Sequence, residues 1–134
     1  MCGIIGYIGN NNASTILLQS LKRMEYRGYD SAGIATINDN ELIVKKDIGR
    51  IDQINEKIKF ETAKGKIGIA HTRWATHGSV TIENSHPHTS CNEEIVLVHN
   101  GIIDNYKQLQ KELSKKHNFK SETDSEIIAH LIEE

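Results

Sequence analysis

The chain has 134 residues, the size of one domain with room for a hydrophobic core. Its 16 Lys and Arg nearly balance 18 Asp and Glu, for a formal charge of -2 with no block of like charges, which excludes a surface built for nucleic acid or an anionic membrane. The apolar runs are a few residues long against the roughly 18 of a membrane-spanning helix, and no basic-then-apolar leader precedes residue 2, so the expectation is a soluble, cytoplasmic chain with reduced cysteines.

The first segment, Cys2-Gly3-Ile4-Ile5-Gly6-Tyr7-Ile8, is expected to be a short buried strand, closed by the turn residues Gly9-Asn10-Asn11-Asn12. Removal of Met1 would leave Cys2 with a thiol and a free α-amine, whose ordinary pKa of about 7.7–8.0 makes it a built-in proton acceptor. With Met1 in place that nitrogen is an amide and no base is present. The alternative is that Cys2 is only a small apolar strand residue. Residues 13–26 then place Leu17, Leu21 and Met24 on one face at helical spacing, and Gly28 ends the helix. Two β-prone segments, 33–38 and 41–46, flank Asn38-Asp39-Asn40 and predict an antiparallel hairpin. A short polar helix is expected near residues 51–60.

In the second half, strands are expected at 66–72 and 94–99, separated by a long loop over residues 77–93 that contains the single proline. Loops of that length inside a compact domain tend to be functional. A helix over 104–117 presents Tyr106, Leu109 and Leu113 on one face. A last helix starts near Thr123, where Thr123 and Glu126 have capping-box spacing, and its apolar face is Ile127, Ile128, Leu131 and Ile132. No repeat, linker or low-complexity tract divides the chain. The sequence stops without a helix-ending signal, and the expectation is a piece of a longer protein.

Six strings occur in order: Cys2-Gly3-Ile4-Ile5-Gly6, YRGYDSAG (26–33), HTRWATHG (71–78), HPH (86–88), VHNGII (98–103) and SETDSE (121–126). Together they resemble the class II glutamine amidotransferase domain, most closely the branch that aminates a sugar phosphate. The resemblance implies an α+β fold, the αββα sandwich of N-terminal-nucleophile hydrolases, of which residues 1–134 are the first part. The remainder of the glutaminase domain and a sugar isomerase domain would follow in the parent chain, leaving room for a homodimer through those parts.

The resemblance also implies the chemistry. Free glutamine is a zwitterion, and by similarity Arg73 binds its α-carboxylate and Asp124 its α-ammonium, with Thr76 and His77 as supporting contacts. A guanidinium grips a carboxylate in a fork that Lys does not copy. Cys2 is the implied nucleophile, and the side-chain amide of Asn100 and the backbone N–H of Gly101 the implied oxyanion donors. Hydrolysis of L-glutamine through a Cys thioester, with no cofactor and no metal, is the implied reaction, and the ammonia goes to fructose-6-phosphate in the parent. Other readings stay open. Arg73 and Asp124 have ordinary roles in a surface ion pair and at a helix start, and Asn100-Gly101 is a strong two-residue hairpin turn. The chain can also be a catalytically incompetent fragment or an interaction module. Lastly, seven histidines invite zinc, through His86 and His88 with His71, His77 or His99, although no HExxH or CxxC spacing appears.

Overall fold

A computed structural model describes residues 1–76 and 78–134. In chain order the elements are β1 (Gly3–Ile8), α1 (Ala13–Met24), β2 (Ser31–Asn38), β3 (Glu41–Ile48), α2 (Ile51–Ile58), β4 (Ile67–Arg73), β5 (His88–Thr89), β6 (Val96–Leu97), α3 (Tyr106–Leu113) and α4 (Glu126–Glu133). Among the described residues the strands form an antiparallel sheet of order β1-β4-β2-β3 and a small second sheet, β5-β6. None of the described helices is long and apolar enough to cross a membrane.

Strand alternation sorts the larger sheet into two faces. Ala32 and Ile34 of β2 and Ala70 of β4 join Ala13, Leu17, Leu18 and Leu21 of α1, Ile51 and Ile54 of α2, and Phe60 in one buried core. Leu17 and Leu21 have no exposed surface, and burying each stabilises the fold by about 1.5–3 kcal/mol. The expected hairpin is present, with Asp39 and Asn40 at φ 47° and 67°, the left-handed pair that a two-residue turn between twisted strands requires.

On the opposite face the segment before β5 lies directly on the sheet. A Cβ built at Gly33 would collide with the carbonyl oxygen of His86 and sit 2.6 Å from Cβ of Lys46, so a residue without a side chain is needed for this approach. Lys46 Nζ donates to the carbonyls of Ser85 (2.6 Å) and Pro87 (3.0 Å). Burial lowers the Lys46 pKa to about 8. The rings of His71, from β4, and His86 stack at 4.1 Å, and His88, which opens β5, stands edge-on to His86 at 4.4 Å. The two sheets therefore meet through imidazoles.

Several expectations are corrected. β1 is an edge strand, paired only with β4, and Ile4, Gly6 and Ile8 are exposed instead of buried. The expected strand at 94–99 is paired only over Val96–Leu97, because its partner in the loop is the two-residue β5. The helix expected over 104–117 covers Tyr106–Leu113. The capping box of Thr123 and Glu126 does not form, since Ser125 is the N-cap and makes no side-chain capping bond. The Glu126 carboxylate instead accepts the N–H groups of Lys120 and Ser121, both at 2.7 Å, and Thr123 Oγ1 meets Nε2 of His88 at 2.9 Å. Asn100-Gly101 is not a hairpin turn, as no described strand follows before α3.

Candidate active site

The antiparallel pairing of β1 with β4 sets the beginning of the chain beside the end of β4. Gly3 faces Thr72 in register, and its N–H donates to Thr72 Oγ1 at 3.1 Å. Just beyond the strand ends, the N–H of Trp74 donates to Sγ of Cys2 at 3.2 Å. The segment after β4 is braced by the YRGYDSAG string, because the Asp30 carboxylate accepts the N–H of Ala75, and the Asp30 N–H donates to the Arg73 carbonyl at 3.3 Å.

A cavity of about 460 Å³ opens at this corner. Cys2, Arg73, Thr76, Asn100, Gly101 and Asp124 all line it. Six of the seven residues singled out in the sequence thus converge from positions up to 122 apart in the chain. The seventh, His77, lies outside the described residues. Arg73 and Asp124 are each 4% exposed, so Arg73 is not part of a surface ion pair, while Asp124 stands directly before the N-cap of α4, where a helix-start charge would also sit. Arg73 donates to the carbonyl of Ser79 at 3.1 Å, and Asp124 Oδ2 accepts the N–H of Ile103 at 2.7 Å. That last bond ties the segment carrying Asn100 and Gly101 to the start of α4, as does the 2.9 Å contact of His99 Nδ1 with Ser125 Oγ.

The orientation of the Asn100 amide follows from its two partners. Its Nδ2 lies 3.1 Å from the carbonyl oxygen of Cys2, which only accepts, so the NH₂ group must face it. Oδ1 then faces Nε2 of His71 at 2.8 Å, and that ring nitrogen must carry the proton. His71 is 1% exposed. Burial lowers its pKa to about 4 against the raising effect of the Asn100 bond, with the Arg73 charge lowering it further. The ring is neutral near neutral pH, and Nε2–H is its single donor. Among the described residues, one hydrogen of the Asn100 NH₂ group has no partner and is available to a ligand.

Three residues here were given no part in glutamine chemistry from the sequence, although His71 and His86 were weighed there as zinc ligands. His71 acts by orienting Asn100, and His86 stacks behind it with neither ring nitrogen hydrogen-bonded among the described residues. Arg27 lines the cavity, and its buried Nε has no hydrogen-bond partner among the described residues. All three sit inside the motif strings, and that membership was the available signal. At Gly101, a Cβ would come within 2.7 Å of His99 Nε2, so the close ring excludes a side chain.

A family model described as the glutamine amidotransferase domain matches residues 55–134. The isomerizing glutamine–fructose-6-phosphate aminotransferase of Methanococcus maripaludis is 61% identical, covering 100% of this chain and 22% of its own length. Its counterpart in Pyrococcus horikoshii is 57% identical over 100% of this chain and 23% of its own. The Streptococcus pyogenes protein of the same name is 54% identical, with 98% and 22% covered. The chain therefore spans about a fifth of the length of the curated relatives it matches. Among solved structures, a glutamine phosphoribosylpyrophosphate amidotransferase from B. subtilis, complexed with ADP and GMP, superposes with a TM-score of 0.84 at 30% identity, over 99% of this chain and 29% of that one. A structure described as the allosteric regulatory enzyme of purine biosynthesis superposes at 0.85, with 31% identity and the same coverage.

Proposed function

The chain belongs to the glutamine amidotransferase domain family, and on that premise we propose that its cavity hydrolyses L-glutamine to glutamate and ammonia through a thioester on Cys2. Its fold is the α+β fold of N-terminal-nucleophile amidotransferases, represented by the N-terminal part of that structure. The observation that carries the proposal is the convergence of Cys2, Arg73, Asn100, Gly101 and Asp124 on one cavity.

In this reading, loss of Met1 frees the α-amine of Cys2. The amine, through a water molecule, takes the thiol proton. The thiolate attacks the side-chain amide carbon of glutamine, and the former carbonyl oxygen gains a negative charge. The free N–H of Asn100 and the Gly101 backbone N–H stabilise it, a kind of contact whose loss typically costs about 100- to 1000-fold in turnover. The C–N bond breaks and nitrogen leaves as ammonia, carrying the proton that the amine held. Water then cleaves the thioester, releasing glutamate and restoring the thiol. Arg73 holds the α-carboxylate, Asp124 the α-ammonium, and Thr76 and His77 add supporting contacts.

In the longer protein the ammonia is passed to a sugar isomerase domain and used on fructose-6-phosphate, a reading supported by the names of the relatives. The face of the larger sheet away from α1 leaves Ile4, Ile8, Ile37 and Ile67 between 41% and 78% exposed. We take this apolar strip as the seat for the rest of the glutaminase domain, which makes residues 1–134 a partial domain. We assign the protein to the cytoplasm, where its two free cysteines stay reduced. The test is Cys2→Ala in the full-length protein. Glutamine hydrolysis is expected to vanish while any sugar-phosphate isomerisation persists, and near-normal hydrolysis would refute the mechanism.

A further inference from the structure

A second group of side chains lies away from the cavity, where the turn after β5, the segment after α3 and the C-terminal half of α4 come together. Sγ of Cys91 is 3.6 Å from Nδ1 of His117 and 3.6 Å from Nδ1 of His130. Oε2 of Glu133 is 3.0 Å from the first of these nitrogens and 3.4 Å from the second. All four donor atoms lie within 4.8 Å of one another. We propose that Cys91, His117, His130 and Glu133 form a structural zinc site.

The spacing carries the argument. Zinc binds sulfur at about 2.3 Å and imidazole nitrogen or carboxylate oxygen at about 2.0–2.2 Å; at tetrahedral angles its sulfur and nitrogen ligands then stand about 3.6 Å apart and its nitrogen and oxygen ligands about 3.4 Å apart. Four of the six donor pairs lie 3.0 to 3.6 Å apart, close to that spacing, and the other two lie within 4.8 Å. A thiolate, two imidazoles and one carboxylate suit zinc better than hard cations, which take oxygen ligands only. With all four positions filled by protein, the site is of the closed, structural type.

The surrounding groups make the same case. A histidine bound to a metal through Nδ1 directs Nε2–H outward, usually to a carboxylate. Nε2 of His117 meets Oε1 of Glu134 at 3.0 Å, and Nε2 of His130 meets Oε1 of Glu126 at 3.4 Å. Cys91 Sγ accepts the N–H of Asn118 at 3.4 Å. The Glu133 carboxylate is aimed by the N–H groups of Cys91 (3.1 Å) and Asn92 (3.0 Å). His130 is 1% exposed, so two polar rings beside a thiol occupy space that an apolar core would otherwise fill. On binding, Cys91 releases its thiol proton to solvent, and the ion clamps three chain segments together.

The test uses untagged full-length protein, first exchanged against a mild chelator and then titrated with zinc and, separately, with cobalt(II). About one zinc per chain is expected to be retained. The cobalt form should show tetrahedral absorption with a sulfur-to-cobalt charge-transfer band. Cys91→Ser should abolish that band, and Glu134→Ala, a surface change that leaves all four ligands in place, should weaken zinc binding by about 10- to 100-fold. Failure of the unaltered protein to hold zinc would overturn the proposal and leave an ion-pair network only. So would a charge-transfer band that survives Cys91→Ser.

Discussion

Acidification should unfold this protein through the imidazoles between its sheets. His71, His86 and His88 are 1%, 6% and 3% exposed. Burial, the largest cause at each, lowers the His71 pKa to about 4 and the His88 pKa to about 3 and drives His86 lower still, with the Arg73 charge adding to the effect at all three and that of Lys46 at His86 and His88. In the unfolded chain each ring regains a pKa of about 6.5. The unfolded state therefore binds more protons between the folded and unfolded values, so stability is complete above about pH 6.5 and falls as pH drops through that window. The slope is about 1.4 kcal/mol per pH unit per histidine, or about 2 kcal/mol for each ring at about pH 5 and about 6 kcal/mol for three. That loss rivals the whole stability of a typical domain, about 5–15 kcal/mol. Urea unfolding followed by circular dichroism at a series of pH values from about 7 to about 5, with a chelator present so that metal release contributes nothing, measures it. His86→Phe keeps a stacked ring without a titrating group and should reduce the slope by about a third. A flat stability profile across this range, or an unchanged slope in His86→Phe, would refute the reasoning.

Three further outcomes concern the site and the sheet contact. Arg73→Lys should raise the glutamine KM more than it lowers kcat, whereas Asn100→Ala should lower kcat by about 100- to 1000-fold with little change in glutamine binding, since its proposed contact forms only during reaction. Steady-state kinetics, with binding titrated in a Cys2→Ala background, separates the two, and normal turnover by Asn100→Ala would withdraw the oxyanion assignment. Gly33→Ala adds a methyl group where the His86 carbonyl already sits, and should cost about 1–3 kcal/mol in denaturant unfolding.

Local patterns in the sequence were enough for α1, whose Leu17 and Leu21 recur at helical spacing, and for the β2-β3 hairpin, whose turn residues take the dihedrals their chemistry suggests. The motif strings were enough to draw six residues to one cavity. What escaped depends on contacts between distant segments. Glu126 has the right spacing to cap α4, but the backbone of Lys120 and Ser121 binds its carboxylate first. The strand at 94–99 is short because strand length is set by its partner, and β5 offers only two residues. His71 drew notice only as a possible zinc ligand, since nothing local marks it as the group that turns Asn100. The ring cluster of His86 and His88 drew the zinc reading, yet the donor set that fits a metal is Cys91, His117, His130 and Glu133, and sequence spacing relates only the last two.

In the proposed mechanism, the bond from Asn100 to the Cys2 carbonyl ties the oxyanion donor to the residue that would lead the chain once Met1 is lost. A chain terminus normally moves more than its surroundings, and a nucleophile there would be expected to wander relative to a donor fixed elsewhere. Here the amide is fastened at one end to the residue that carries the sulfur and at the other to the buried His71 ring. The terminus is thereby moored to the same fixed ring as the donor, and the distance between sulfur and donor is set by a short chain of hydrogen bonds.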